Sequence, residues 1–101
     1  MSQQFALKVN PGVSEDIQRF LYYFYEETKE IKLGQRFLES IETVYNDLPR
    51  RALQYQIRYG NVRLVRISPF SIYAHYRIDE EKGLVIVEAI FHASEDPNKW
   101  I

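Results

Sequence analysis

The hydrophobic pattern of this chain changes its period at Pro49, and that change restricts the fold more than any other feature. Before Pro49, apolar residues recur at the three- and four-residue spacing of amphipathic helices. The spacing predicts a first helix over about residues 15–28, with Ser14 as its N-cap, and a second over residues 33–48. Proline donates no backbone hydrogen bond and restricts the residue before it, so we expect the second helix to stop there.

After Pro49 the apolar residues alternate with polar ones, the period of a half-buried strand. Three strands are predicted over residues 55–59, 62–67 and 70–78. Residues 84–91 are apolar on nearly both faces, which predicts an interior strand. Simple alternation along that strand places its side chains in two sets, with Val85, Val87, Ala89 and Phe91 on one face and Leu84, Ile86, Glu88, Ile90 and His92 on the other.

A further short apolar run, residues 5–9, precedes the turn signal Asn10-Pro11-Gly12 and predicts a first strand. The order of elements is therefore β-α-α-β-β-β-β. It predicts an α+β fold in which a helical hairpin packs on one face of an antiparallel sheet. A length of 101 residues suits one domain over residues 1–101.

Charge is strongly segregated along the chain. Residues 49–78 contain six arginines and no carboxylate, whereas the net charge of the whole chain is −1 and both flanking segments are acidic. Such a block predicts a region that binds anions or an acidic partner. The alternative is that the arginines pair across space with the flanking acids.

Composition excludes several classes of protein and site. The chain has no cysteine, so it has neither disulfides nor thiolate metal sites. The start of the sequence lacks a signal-peptide pattern, and no apolar run is long enough to span a membrane, so we expect a cytoplasmic protein without membrane contact. Phosphate-binding loops and the motifs of serine and zinc hydrolases are also missing, and we expect no cofactor.

Four strings of the sequence resemble the RelE/ParE toxin superfamily, also called plasmid stabilisation proteins. Residues 33–38 (LGQRFL) are similar to the start of the family's second helix, and residues 61–66 (NVRLVR) to an arginine-bearing strand. Residues 70–79 (FSIYAHYRID) resemble its tyrosine-rich strand, and residues 89–97 (AIFHASEDP), followed by Trp100, its closing motif. The four occur in the family's order and cover nearly the whole chain.

The resemblance implies the toxin of a type II toxin–antitoxin pair, neutralised by a cognate antitoxin. It implies one of two targets, because RelE-like members cut messenger RNA on the ribosome and ParE-like members poison DNA gyrase. Other members of the superfamily have lost activity. A dimer or a toxin–antitoxin hetero-oligomer is the assembly that this family suggests.

The residues that would carry either activity are polar or aromatic and lie mostly on the predicted strands. A ribonuclease needs groups that move protons and cations that stabilise the phosphorane, and the candidates for that chemistry are Arg63, Arg66, Tyr76 and His92. The candidates for binding a target or partner are Arg58, Arg63, Arg66, Tyr73, His75, Arg77, Glu88, His92, Glu95 and Trp100.

Two departures from the family favour binding over cleavage. The position before Asp96-Pro97 is commonly arginine in relatives but is Glu95 here, and a carboxylate repels a scissile phosphate. The basic tail with its tyrosine, which RelE-like nucleases hold near the RNA, has no counterpart before Ile101. A pI near 6.1 also gives no general surplus of phosphate contacts. We therefore expect a ParE-like toxin, with an mRNA interferase ribonuclease and an inactive interaction module as the alternatives.

His75, Glu88 and His92 also fall where they could imitate a metal site, but such groups on a sheet are more often ordinary hydrogen-bonded residues. We expect no metal. Trp100 is expected to pack over an end of the fold. The groove along the helical hairpin and the edge of the sheet are the surfaces on which we expect an acidic antitoxin segment to dock.

Overall fold

The computed structural model describes residues 4–95, and two helices cover one face of a five-stranded sheet. Phe37 of α2 packs edge to face against Phe20, Phe24 and Phe70, and Phe24 also contacts Phe70. This aromatic cluster joins the helices to the sheet. The elements are β1 (Ala6–Val9), α1 (Val13–Thr28), α2 (Ile31–Arg51), a 3₁₀ turn (Ala52–Gln54), β2 (Ile57–Tyr59), β3 (Val62–Arg66), β4 (Ile72–Asp79) and β5 (Leu84–His92).

The sheet has the strand order β1-β5-β4-β3-β2, which confirms the α+β fold with a helical hairpin on one face. Strands β2 to β5 are antiparallel, as expected, and β5 lies inside the sheet. Strand β1 joins β5 in parallel, with Ala6 opposite Leu84 and Val9 opposite Val87. Strand β1 therefore extends the sheet on the side of β5 that lies away from β4.

The helix boundaries differ from the predicted ones at both ends of the hairpin. Helix α1 begins at Val13, because the Asn10 and Pro11 carbonyls already accept the first backbone N–H groups. The hydroxyl of Ser14 donates to the Pro11 carbonyl at 3.0 Å, so the prediction of Ser14 as N-cap is wrong.

The prediction that Pro49 ends the second helix is also wrong, because Pro49 lies inside α2. A proline in the last turn removes one backbone hydrogen bond, and the packing of the buried Leu48 beside it favours continuing the helix. The Pro49 carbonyl accepts the Phe5 N–H at 2.9 Å. The end of α2 therefore fixes the start of β1.

Strand β5 contains one extra residue, at Glu88. Tyr76 of β4 lies opposite Val87, whereas the preceding residue, His75, lies opposite Ala89. Such a β-bulge shifts the alternation of every later side chain. Ile90 consequently belongs to the core with Val87, and the predicted assignment of Ala89 and Phe91 to the Val87 face is wrong.

Two of the strands start two residues later than predicted, and the other strand boundaries differ from the predicted ones by at most one residue. The residues before Ile57 form the 3₁₀ turn and its exit, so β2 is shorter than expected, and β4 begins at Ile72 and not at residue 70. In residues 4–95 the structure has no helix that is both long and apolar enough to span a membrane.

Candidate partner-binding face

The sheet surface turned away from the two helices carries most of the polar residues singled out in the sequence. We call this surface the open face. Register places Tyr73 beside Phe91 and His75 beside Leu64 and Ala89 on it. Arg77 lies further along the same strand, beside Ile86. The bulge at Glu88 is what brings the Phe91 ring to this side.

His75 is the centre of the open face. The residue is only 3% exposed, and the Tyr59 and Phe91 rings pack against its imidazole. The Tyr59 hydroxyl oxygen lies 2.9 Å from its Nδ1, and Phe91 packs edge to face at 5.3 Å between ring centroids. Burial lowers the pKa of His75 to about 4, so its imidazole is neutral near pH 7.

A clasp of three residues joins the end of β1 to β4 and β5. Arg77 Nε donates to Glu88 Oε1 at 2.5 Å, and the Asn10 side-chain amide donates to the other carboxylate oxygen. Glu88 can reach both partners because the bulge turns it out of the regular alternation. An acid of the C-terminal segment thus neutralises an arginine of the basic block.

A second acid–base pair stands where β5 ends. Both carboxylate oxygens of Glu95 lie 3.4 Å from Arg19 Nη1, and Glu95 Oε1 also accepts the His92 backbone N–H at 2.9 Å. The Arg19 guanidinium lies over the Phe20 and Phe91 rings, at 4.9 and 5.8 Å from their centroids. Helix α1 therefore supplies a cation to the open face.

Helix α1 reaches this position because it closes the edge of β5 beyond the end of β1. The Ile90 N–H has no strand partner on that side and donates to the Asp16 carboxylate at 3.0 Å. Burial raises the pKa of Asp16, while the hydrogen bond from Ile90 and the nearby charge of Arg19 lower it in part. Asp16 Oδ1 also lies 4.0 Å from Arg19 Nη2, so the carboxylate that holds the β5 edge stands beside this cation.

Two clefts open on this face, one on each side of Tyr59. The first has a volume of about 480 Å³ and is lined by Asp16, Tyr59, Arg77, Glu88 and Phe91 among others. The second has a volume of about 410 Å³ and is lined by Arg58, Tyr59, Leu64, Tyr73, His75, His92, Ala93 and Glu95. Together they make a depression in which aromatic and charged side chains alternate.

Most of the predicted partner-binding residues meet here. The structure brings together seven of them around the two clefts: Arg58, Tyr73, His75, Arg77, Glu88, His92 and Glu95. Trp100, Asp96 and Pro97 lie outside the described residues.

Three other predicted residues are placed elsewhere. The Arg63 guanidinium donates to the Leu53 and Tyr55 carbonyls, at 3.3 and 2.6 Å, and so holds the segment before β2. The Arg66 guanidinium donates to two carbonyls of the following loop. Tyr76 is completely buried, and its hydroxyl donates to the Ala52 carbonyl at 2.6 Å.

The arginines of the basic block differ in whether a carboxylate pairs with them. Arg77 pairs with an acid of a flanking segment, and so does Arg50, whose partner is Asp47 at 3.3 Å. Arg58 is exposed, and no carboxylate of residues 4–95 lies within ion-pairing distance of it.

Sequence reasoning missed Arg19, Tyr59 and Phe91 as members of this face. Tyr59 had a usable signal, since it stands in the alternating run before the Gly60-Asn61 turn. Phe91 was hidden by the bulge, and Arg19 looked like an ordinary solvent-facing helix residue. Within the part of the chain that the structure describes, no three His, Asp or Glu residues are grouped closely enough to hold a metal ion.

Comparisons with known proteins give the fold its context. No protein-family model and no curated protein matches this sequence. A chain of the chromosomal ParDE toxin–antitoxin system of P. aeruginosa is similar in structure, with a TM-score of 0.75 and 14% identity over 90% of this chain and 98% of that one. A chain of the RelBE2 toxin–antitoxin complex of Mycobacterium tuberculosis has a TM-score of 0.63 and 19% identity, over 88% of this chain and 98% of that one.

The isolated RelE toxin of E. coli gives a TM-score of 0.52 and 10% identity, over 95% of this chain and 92% of that one. The fold is therefore the RelE/ParE toxin fold that the sequence resemblance implied. By TM-score, the fold is more similar to the ParDE chain than to the RelBE2 chain or to the isolated RelE toxin.

Proposed function

We propose that this protein is the toxin of a type II toxin–antitoxin pair and that it is ParE-like, harming the cell by binding a macromolecular target, DNA gyrase. It works as a single domain in the cytoplasm and is neutralised by a cognate antitoxin. The observation that carries the proposal is that the four candidate residues for RNA cleavage do not converge on one site.

The four candidates make separate contacts, and Arg66 is held by the Phe70 and Pro69 carbonyls. Tyr76 is buried on the helix side, and burial raises the pKa of its phenol, so the hydroxyl stays protonated and bound to a carbonyl. Arg63 points to the same side, and its guanidinium is held by backbone carbonyls. His92 lies at the end of β5, opposite Ile72, and its Nδ1 is 2.8 Å from the Ser94 hydroxyl oxygen. Concerted acid–base catalysis needs its groups within reach of one phosphate, and this arrangement does not supply them.

Binding a protein target requires less of the same residues. The open face offers aromatic surface, exposed arginine and clefts, a composition typical of protein interfaces. Its three cations, Arg19, Arg58 and Arg77, stand among three acids, Asp16, Glu88 and Glu95. A face that is balanced in charge suits a protein surface better than the phosphate backbone of RNA.

The antitoxin has a surface of its own in this proposal. A shallow groove between the helices is lined by Leu21, Tyr25, Ile31 and Leu38, and the last three are exposed. An amphipathic helix with apolar anchors fits such a groove. Two of the similar structures are named as toxin–antitoxin systems, and we extend that assembly to this chain.

Regulated expression, with and without the neighbouring reading frame, tests the proposal. We expect growth arrest that co-expression relieves, loss of gyrase supercoiling activity with purified protein, and intact messenger RNA in a ribosome-containing extract. Arg58→Glu should weaken the arrest, whereas Lys82→Glu, which makes the same charge change in the β4–β5 turn, should not. Degraded messenger RNA with normal supercoiling would instead establish the RelE-like ribonuclease.

A further inference from the structure

Glu95 lines the second cleft of the open face, and the donors around it hold it as they would hold a bound carboxylate. It accepts the Arg19 guanidinium through both oxygens and the His92 backbone N–H through one of them. A cation and a backbone donor that converge on one carboxylate are the usual elements of an acid-binding site. The occupant here belongs to the chain itself.

Arg19 has contacts other than the one to Glu95. Arg19 is supported by the Phe20 and Phe91 rings beneath its guanidinium and by Asp16, whose oxygen lies 4.0 Å from Nη2. The cation therefore has its position from helix α1 and the sheet. The Glu95 side chain, by contrast, is partly exposed and follows the end of β5, so it can turn outward with little change elsewhere.

The rest of the cleft determines what could replace Glu95. Its volume of about 410 Å³ exceeds one carboxylate, and its walls are Tyr59, Tyr73 and the buried His75. Arg58 stands at the same cleft as a second cation. Such a site fits an acidic side chain on a peptide that also offers an apolar neighbour to the aromatic wall.

Nucleic acid is the less suitable ligand for the same cleft. A phosphate backbone gains affinity from many cations acting together, whereas Asp16 and Glu88 stand close beside the cations of this face. A single carboxylate needs only Arg19 and the His92 N–H, the two donors that already hold Glu95.

We propose that this cleft is a binding site for an acidic side chain of a protein partner, and that Glu95 occupies it in cis as an internal competitor. The partner's carboxylate takes over the contacts to Arg19 and the His92 N–H, and Glu95 moves into solvent. The inference rests on the proposed function only for the identity of that partner.

Peptide binding by the full chain tests the inference. The probe is a short fluorescent peptide in which glutamate alternates with leucine, compared with its glutamine counterpart, and fluorescence anisotropy gives the affinity. Glu95→Gln should strengthen binding of the acidic peptide by about two- to fivefold, the range expected for releasing one exposed ion pair. Arg19→Gln should weaken binding, and in that background Glu95→Gln should have no effect.

Glu81→Gln is the matched control, because it removes one negative charge from the exposed β4–β5 turn. An equal gain from Glu81→Gln, an equal gain for an RNA oligonucleotide of the same charge, or no gain from Glu95→Gln would each overturn the inference. Thermal melts of every variant verify that the fold is intact. Peptide binding does not depend on toxicity, so the two proposals can fail separately. A toxic protein that does not bind the acidic peptide would refute the acid-binding site and leave the toxin function standing. A protein that binds the peptide but does not arrest growth would refute the toxin function and leave the site standing.

Discussion

The hydroxyl of Tyr76 gives the sharpest test of the division between core and open face. Tyr76 lies in the family-like aromatic strand and was a candidate for RNA cleavage, yet its hydroxyl donates to the Ala52 carbonyl inside the core. Ala52 follows the last residue of α2 and is itself completely buried. Tyr76→Phe removes the donor, and the buried carbonyl loses this hydrogen bond.

The expected loss follows from the burial of both groups. A buried acceptor that loses its hydrogen bond costs about 1–3 kcal/mol in the free energy of unfolding. For a domain of this size each kcal/mol lowers Tm by about 4–8 °C. Tyr76→Phe should therefore lower Tm by about 5–20 °C, while toxicity at a temperature where the variant is folded should remain.

Urea denaturation followed by circular dichroism measures the free energy of unfolding, and growth arrest at low temperature measures toxicity. Tyr73→Phe is the control, since the Tyr73 hydroxyl lies at the open face and makes no hydrogen bond within residues 4–95. Tyr73→Phe should change the free energy of unfolding by less than about 0.5 kcal/mol. A Tyr76→Phe protein of normal stability that no longer arrests growth would refute the assignment of Tyr76 to the core.

Three further perturbations test other parts of the fold. Arg63→Gln should cost about 1–2 kcal/mol in urea denaturation, because its guanidinium holds two backbone carbonyls before β2; unchanged stability would contradict that role. The pKa of His75 is about 4 in the folded protein and 6.5 in the unfolded chain, so the unfolded chain binds more protons between these values. The free energy of unfolding should therefore fall as pH drops from 6.5 towards 4, by up to about 3 kcal/mol. Denaturation midpoints across that window measure the loss, which His75→Gln should abolish and His92→Gln should leave in place. Gly34→Leu should lower the free energy of unfolding by about 1–3 kcal/mol, because even a Cβ at this position would lie 3.1 Å from the Leu21 side chain of α1. A Tm equal to that of the wild type would show that the two helices can move apart to accommodate the larger residue.

The sequence determines the layers of this fold more fully than the details of its open face. Helical spacing before Pro49 and alternation after it are set by which side chains must be buried, so the element order could be read directly. The end of α2 could not, because whether a proline stops a helix depends on the packing of Leu48 and on the Phe5 N–H, which arrives from another part of the chain.

The candidate site shows the same limit. Arg58, His75 and His92 were found because polar residues on strands stand out against an apolar alternation. The bulge at Glu88 leaves no such mark, since it depends on pairing between β4 and β5, and one extra residue moved Phe91 to the other face. Arg19 belongs to the site only through the packing of α1 along the β5 edge, which no local pattern encodes.

The parallel pairing of β1 with β5 has a consequence for the order in which the molecule can form. Ala6 meets Leu84, and the Asn10 N–H meets the Val87 carbonyl, so these contacts close almost the full length of the chain. Contacts of such separation form slowly and late in folding. During synthesis on the ribosome, β1 has to wait unpaired until residue 87 has emerged. The Asn10–Glu88–Arg77 clasp must wait with it, so a shorter nascent chain carries the helical hairpin before it carries a finished open face.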